Sequence, residues 1–236
     1  EEETIREVAT ELGLKQLDED PLRYARHPLV YLVEAADDIC YQIMDIEDAC
    51  KLHILGYDEA QGLIQGFFAY DELREIQHVA NTIGDPNERM GYPRSKAINL
   101  LVEEAASLFL DAEEAILAGT FEGSLIQHLS PRLLSAYQAC SRTAYAKIYS
   151  AREVVDVELA GHRIFSALLD QLIEAQMHPD HLYSRTLLSR VSSQYEMNHP
   201  TVYGRIQSSL DYISGMTDIY ALDLYRRITG MNLPAV

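Results

Sequence analysis

The sequence contains no tryptophan, only three cysteines and about half as many basic as acidic residues, 19 Lys+Arg against 37 Asp+Glu. The last two scarcities each remove a class of function. A deficit of cations argues against general nucleic-acid binding, because displacing counterions from phosphates requires a basic footprint. Cys40, Cys50 and Cys140 are odd in number and lack CxxC spacing, so neither a disulfide framework nor a structural zinc knuckle is supported and a reducing compartment is expected. Apolar runs near the ~20 residues that cross a bilayer are missing, as is a secretory leader, so the expectation is a cytoplasmic protein with no membrane partner. Nor is there a phosphate-cradling glycine loop or a Ser, Cys or Lys nucleophile arrangement.

What is present is globular in kind. The 236 residues are 47% hydrophobic and 24% charged, enough for one large or two small cored domains. The net charge of −18 is unevenly placed: residues 1–120 carry 9 basic and 26 acidic residues, residues 121–236 carry 10 and 11. A small anionic ligand held by a few arginines or through a metal stays compatible with that balance. Apolar residues recur at three- and four-residue steps near 1–12, 28–53, 58–82, 94–118, 131–147, 150–177, 183–193 and 201–229, which predicts helices. Strand-like alternation is nowhere sustained. Breakers such as Asp20-Pro21, His27-Pro28, Tyr92-Pro93, Ser130-Pro131 and His199-Pro200 mark the joints, and 83–92 reads as an exposed loop. Without repeats or long linkers, one all-α multi-helical unit is the economical expectation. The chain opens with Glu1, Glu2, Glu3 and Thr4 directly before the stripe Ile5, Val8, Ala9 and Leu12, with no N-cap, as if it began inside a longer protein.

The informative segment is 28–53. At ~100° per residue Asp37, Tyr41, Asp45 and Asp48 fall within an arc of about 80° on one helix face, beside an apolar stripe of Leu29, Val33, Ala36, Cys40, Ile43 and Met44. Like charges at helical neighbour spacing repel by a few tenths of a kcal/mol per pair, so a divalent cation or polar ligand is a natural offset. An acidic stripe is more often a solvated face. Leu32, Ile39 and Ile46 make this helix apolar nearly all round, however, which predicts a buried helix with its carboxylates buried or facing a cleft.

These residues resemble a known family. Glu34-Ala35-Ala36-Asp37-Asp38-Ile39-Cys40-Tyr41, followed by Asp45-Ile46-Glu47-Asp48-Ala49, is similar to the segment of bacterial deoxyguanosinetriphosphate triphosphohydrolases, of the HD-domain superfamily, that holds the last metal ligand. Asp211-Tyr212-Ile213-Ser214-Gly215-Met216-Thr217-Asp218, then Ala221-Leu222-Asp223-Leu224-Tyr225-Arg226-Arg227, resembles the C-terminal signature of the same enzymes. The likeness runs in order from about 21 to 229, and implies that 1–236 is the C-terminal helical portion of such an enzyme, HD-domain-like and all-α.

The resemblance implies hydrolysis of dGTP or another dNTP to deoxynucleoside and triphosphate. A divalent metal, Mg²⁺ or Mn²⁺, would polarise the α-phosphate and help generate the attacking water. By the same resemblance Asp37 is a metal ligand, Tyr41 packs on the deoxyribose, Asp45 bonds the sugar 3′-hydroxyl and Tyr149 contacts the nucleotide. Arg142 and Lys147 are candidates for the triphosphate, ahead of Arg152 and Arg163, since cations suit phosphate oxygens. None of the eight histidines precedes an aspartate. The adjacent His-Asp pair, the other metal histidine and the catalytic residues are therefore expected before this segment, and none is assigned within it. The resemblance also implies a homo-oligomer, whereas a single-stranded DNA effector has no support in the sequence. Two other readings stand beside this one: an HD-superfamily phosphohydrolase of another nucleotide, and a non-catalytic helical module for nucleotide binding or assembly. His178-Pro179-Asp180-His181 reads as a surface turn and Arg226 and Arg227 as complements to a helix dipole.

Overall fold

The computed structural model describes residues 2–231, apart from the side chains of 86 and 87; Glu1 lies outside them. It is all-α, with eleven α-helices among the described residues. The chain divides into two compact units between Ala151 and Arg152, where one unit was expected. The physical reason is visible in the cores: two separate clusters of buried side chains form, one in each unit.

The first unit begins with α1 (Glu2–Glu11) and two short antiparallel strands, β1 (Gln16–Glu19) and β2 (Leu22–Tyr24). The strands flank Asp20-Pro21 and were not expected, because four and three residues with no buried side chain leave no alternation to detect. α2 (Pro28–Lys51) is the central element. Pro28 occupies its first turn, and the His27 ring accepts a 3.2 Å hydrogen bond from the Leu29 amide. Ile39, Ile43 and Ile46 are almost fully buried, each worth about 1.5–3 kcal/mol in transfer alone. α3 (Tyr57–Gln65) and α4 (Tyr70–Ala80) replace the single helix expected over 58–82. They are separated where Phe67 and Phe68 turn inward and are buried.

α5 (Pro86–Asp111) packs along α2. It begins inside the stretch read as a loop and runs through Pro93, since Met90 is buried and tertiary contact outweighs the lost backbone bond. α6 (Glu113–Leu117) and a 3₁₀ turn (Leu125–His128) lead to α7 (Pro131–Thr143), which starts at Ser130-Pro131 and continues into a π-helical turn, Ala144–Ile148. The Glu104 carboxylate ties α5 to the Ser130 amide and hydroxyl.

The second unit contains α8 (Arg152–Met177), α9 (Leu182–Leu188), α10 (Val202–Ser214) and α11 (Asp218–Ile228). Leu168, Leu172, Tyr212 and Leu224 lie in its core. The predicted segment 201–229 is two helices: Gly215 ends α10, and the Thr217 hydroxyl caps α11 by accepting from the Tyr220 amide at 3.2 Å. His178 and His181 sit in the α8–α9 turn with rings stacked 5.5 Å apart. No described helix is long and apolar enough to cross a membrane.

Candidate functional site

Residues four apart on a helix lie ~6 Å apart along its axis, so Asp37, Tyr41 and Asp45 climb one face of α2. The elements that meet that face are α7 and the π turn after it. The wider π turn rotates the chain beyond it relative to a regular α-helix. Ala144 and Ile148 remain buried while Tyr145 and Tyr149 are turned to one side, and the Tyr149 amide donates to the Ala144 carbonyl at 3.0 Å. Tyr149 thereby reaches α2.

Its hydroxyl donates to Asp45 Oδ2 at 2.7 Å. Its ring lies 6.4 Å from that of Tyr41, tilted by 34°, and 5.3 Å from that of Tyr145, edge-on at 87°. Burial, then hydrogen bonds with Asp45 and Tyr41, push the Tyr149 hydroxyl well above the ordinary phenol range. It therefore acts as a donor at neutral pH. Asp45 Oδ1 makes no hydrogen bond among the described residues. Tyr41 is 59% exposed and Tyr145 is exposed as well. One carboxylate and three phenol rings thus form an open, polar-tipped shelf.

The carboxylates are less enclosed than the sequence implied. Asp37 and Asp48 are exposed and Asp45 is half-buried. The cause lies in the apolar stripe: its members Leu29, Val33, Ala36 and Cys40 point outward, while the core uses Ile43 with the neighbouring series Ala35, Ile39, Gln42 and Ile46. The acid that is buried is Glu47, 5% exposed, which accepts from Arg94 at 2.6 Å and pairs with Lys51 at 2.8 Å. Beside Asp37, burial followed by the charges of Glu34 and Asp37 raises the Asp38 carboxyl. The Asp38 carbonyl accepts from Tyr137, whose hydroxyl burial pushes up to about 12.

Among the described residues no group of three or more His, Cys, Asp and Glu side chains could hold a metal ion. Asp37 offers one carboxylate, so these residues do not by themselves make a divalent-cation site. Arg142 is exposed, and Lys147 is engaged by Glu59 at 2.6 Å; a phosphate reaching Lys147 has to compete with that carboxylate. Arg152 pairs with Asp156 at 3.5 Å on its own helix. Sequence reasoning missed Tyr145, although it precedes Tyr149 by four residues, the same step that relates Tyr41 to Asp45. It missed Glu47 too, because the partner Arg94 lies on another helix.

Comparison with known proteins adds two findings. The phosphohydrolase-associated domain profile matches residues 127–227. The chain is 30% identical over 236 residues to a deoxyguanosinetriphosphate triphosphohydrolase-like protein of Pseudomonas aeruginosa, covering 98% of this chain and 53% of that protein. A like-named protein of Synechocystis is 32% identical, covering 99% of this chain and 51% of its own. A deoxyguanosinetriphosphate triphosphohydrolase of Salmonella arizonae is 30% identical, covering 88% and 49%. The chain spans about half the length of the curated relatives it matches.

Proposed function

The chain belongs to the family of deoxyguanosinetriphosphate triphosphohydrolases and their like-named relatives, matching a C-terminal part of them, and from that premise we propose that it supplies the sugar-recognition wall of a dNTP-hydrolysing site. The observation that carries the reading is the 2.7 Å bond from Tyr149 to Asp45 beside the Tyr41 ring. That bond orients Asp45 and leaves its second oxygen to accept from the 3′-hydroxyl of a deoxyribose. Tyr41 packs on the C2′ side, where a ribose hydroxyl would meet a ring with no partner. Burying a hydroxyl unpaired costs about 1–3 kcal/mol, or about 10–100-fold in affinity.

The whole reaction, release of triphosphate from dGTP or another dNTP, is proposed with it. Asp37 contributes one ligand to a divalent cation, Mg²⁺ or Mn²⁺, which supplies Lewis-acid stabilisation of the phosphate when bound. The described residues do not complete that site. Arg142, and Lys147 once released from Glu59, face the phosphates.

Calorimetry of the 236-residue chain with deoxyguanosine and guanosine tests the sugar role. Deoxyguanosine is expected to bind about 10–100-fold more tightly, with Tyr41→Ala reducing the preference and Asp45→Ala weakening both nucleosides alike; equal affinities of the wild-type chain would sink it. A dNTP, rNTP and cyclic-nucleotide panel separates this reading from that of a phosphohydrolase acting on another nucleotide. The incomplete metal donor set favours one second reading, a nucleotide-binding module that is not catalytic as this chain stands; binding without turnover is its expected result.

A further inference from the structure

Within the first unit a cavity of about 220 Å³ opens between α4 and α5, and none of the residues lining it belongs to the shelf of Asp45 and the tyrosines. Its floor is apolar: Phe68 and Ile76 are buried, and Leu100 packs against the same core. Polar groups from both helices line the remainder. Glu72 and Glu75 are three residues apart on α4, and Tyr92, Lys96 and Asn99 recur at steps of four and three on α5. Such steps keep each set on one helix face, and the two faces meet where the helices pack.

The bonds these groups already make select the occupant. Glu72 accepts from the Ala69 amide at 2.7 Å and lies 3.6 Å from Arg132, so that carboxylate is engaged within the chain. Asn99 donates to Glu103 at 2.7 Å. Among the described residues Glu75 makes no hydrogen bond or ion pair, and Lys96 only lies over the Tyr92 ring, 5.8 Å from its centroid. A carboxylate and an ammonium thus line one cavity without reaching each other. A ligand carrying both charges answers both, whereas a simple anion is opposed by Glu75 and a simple cation by Lys96. The volume falls below the ~300–1,000 Å³ of pockets for drug-sized ligands. Size therefore argues against a nucleotide, and the apolar floor asks for an apolar group on the same small molecule.

We propose that this cavity binds a free α-amino acid with an apolar side chain. Its ammonium meets Glu75, its carboxylate meets Lys96 and its side chain lies on the floor of Phe68, Ile76 and Leu100. The test is calorimetry of the 236-residue chain with L-leucine, 4-methylpentanoate, isopentylamine and putrescine. L-Leucine is expected to bind with a Kd of about 1 mM or tighter, and the two analogues that each lack one charge at least ~10-fold more weakly. Glu75 and Lys96 are both exposed, so Glu75→Gln and Lys96→Gln should leave thermal unfolding of the free chain unchanged. Each should weaken L-leucine about 10-fold by removing one charge-assisted hydrogen bond. No nucleoside enters the test, so its outcome is independent of the sugar wall. An absence of saturable L-leucine binding up to about 10 mM, a single-charge analogue or putrescine binding as tightly as L-leucine, or an L-leucine affinity unchanged by either substitution would each overturn the proposal.

Discussion

At Tyr149 a single hydroxyl couples two elements, because its partner Asp45 lies 104 residues away on α2. Tyr149→Phe removes that bond and should lower stability by about 0.5–1.5 kcal/mol, read from the urea midpoint, while weakening deoxyguanosine binding. The pH dependence has a definite sign. A phenol raised in the folded state favours folding below the ordinary value of ~10, and that contribution is lost as pH rises through the folded value. Tyr149→Phe should therefore flatten the alkaline decline. Tyr137 and Cys140, both pushed up to about 12 chiefly by burial, preserve part of it. Glu47 makes a different demand. Arg94→Ala leaves a buried carboxylate with Lys51 alone and should cost about 2–4 kcal/mol, with little effect on nucleotide binding; a urea midpoint within ~0.3 kcal/mol of wild type would exclude this role for Arg94. The Asp37, Tyr41 and Asp45 series was legible because i, i+4 spacing is a local property. Neither Asp45–Tyr149 nor Glu47–Arg94 was, since a contact between distant segments has no periodic signature.

Among elements, the joints decide stability as much as the helices do. Gly119 follows α6 with φ +68°, and a Cβ there would come within 2.7 Å of the buried Ala25 side chain. Gly119→Ala should cost about 2–4 kcal/mol, from strain and steric overlap together. Gly230, at φ +76° with nothing within 4 Å of its Cβ position, isolates the backbone contribution; alanine there should cost about 1 kcal/mol. Thermal unfolding of the two variants separates the causes, and equal losses would mean that Ala25 yields freely. Helix existence was widely readable from period and breakers, as at Pro28, Pro131 and Thr201. Internal divisions were harder. The break between α3 and α4 occurs where Phe67 and Phe68 turn into the core, and apolar residues there extend a helical pattern instead of interrupting it. Pro93 misled in the opposite direction, as burial of Met90 holds the helix through it. The π turn at 144–148 has no cue in hydrophobic spacing, yet it is the element that swings Tyr149 toward α2.

On the scale of the whole chain, the −18 charge sets how an anion approaches. Asp45 and Tyr41 of the shelf lie in the acidic stretch 1–120, Tyr145 and Tyr149 in the near-neutral 121–236, and the cations assigned to phosphate are Arg142, which is exposed, and Lys147, which Glu59 holds at 2.6 Å. A triphosphate approaching without a cation meets net repulsion over distances comparable with the Debye length, ~30 Å at 0.01 M salt and ~8 Å at 0.15 M. Raising salt screens that repulsion. Cation-free dGTP should consequently bind this chain several-fold more tightly at 0.15 M than at 0.01 M, the reverse of a site governed by local arginines. Uncharged deoxyguanosine should show little change over the same range, which separates long-range charge from any effect of salt on the shelf itself. Titration of both ligands at the two ionic strengths measures the difference. If dGTP weakens while deoxyguanosine holds steady, Arg142 and Lys147 outweigh the acidic surface, and the phosphates are held by this chain's own cations. If dGTP tightens as expected, sugar recognition resides in these residues while charge compensation for the phosphates must come with the bound metal.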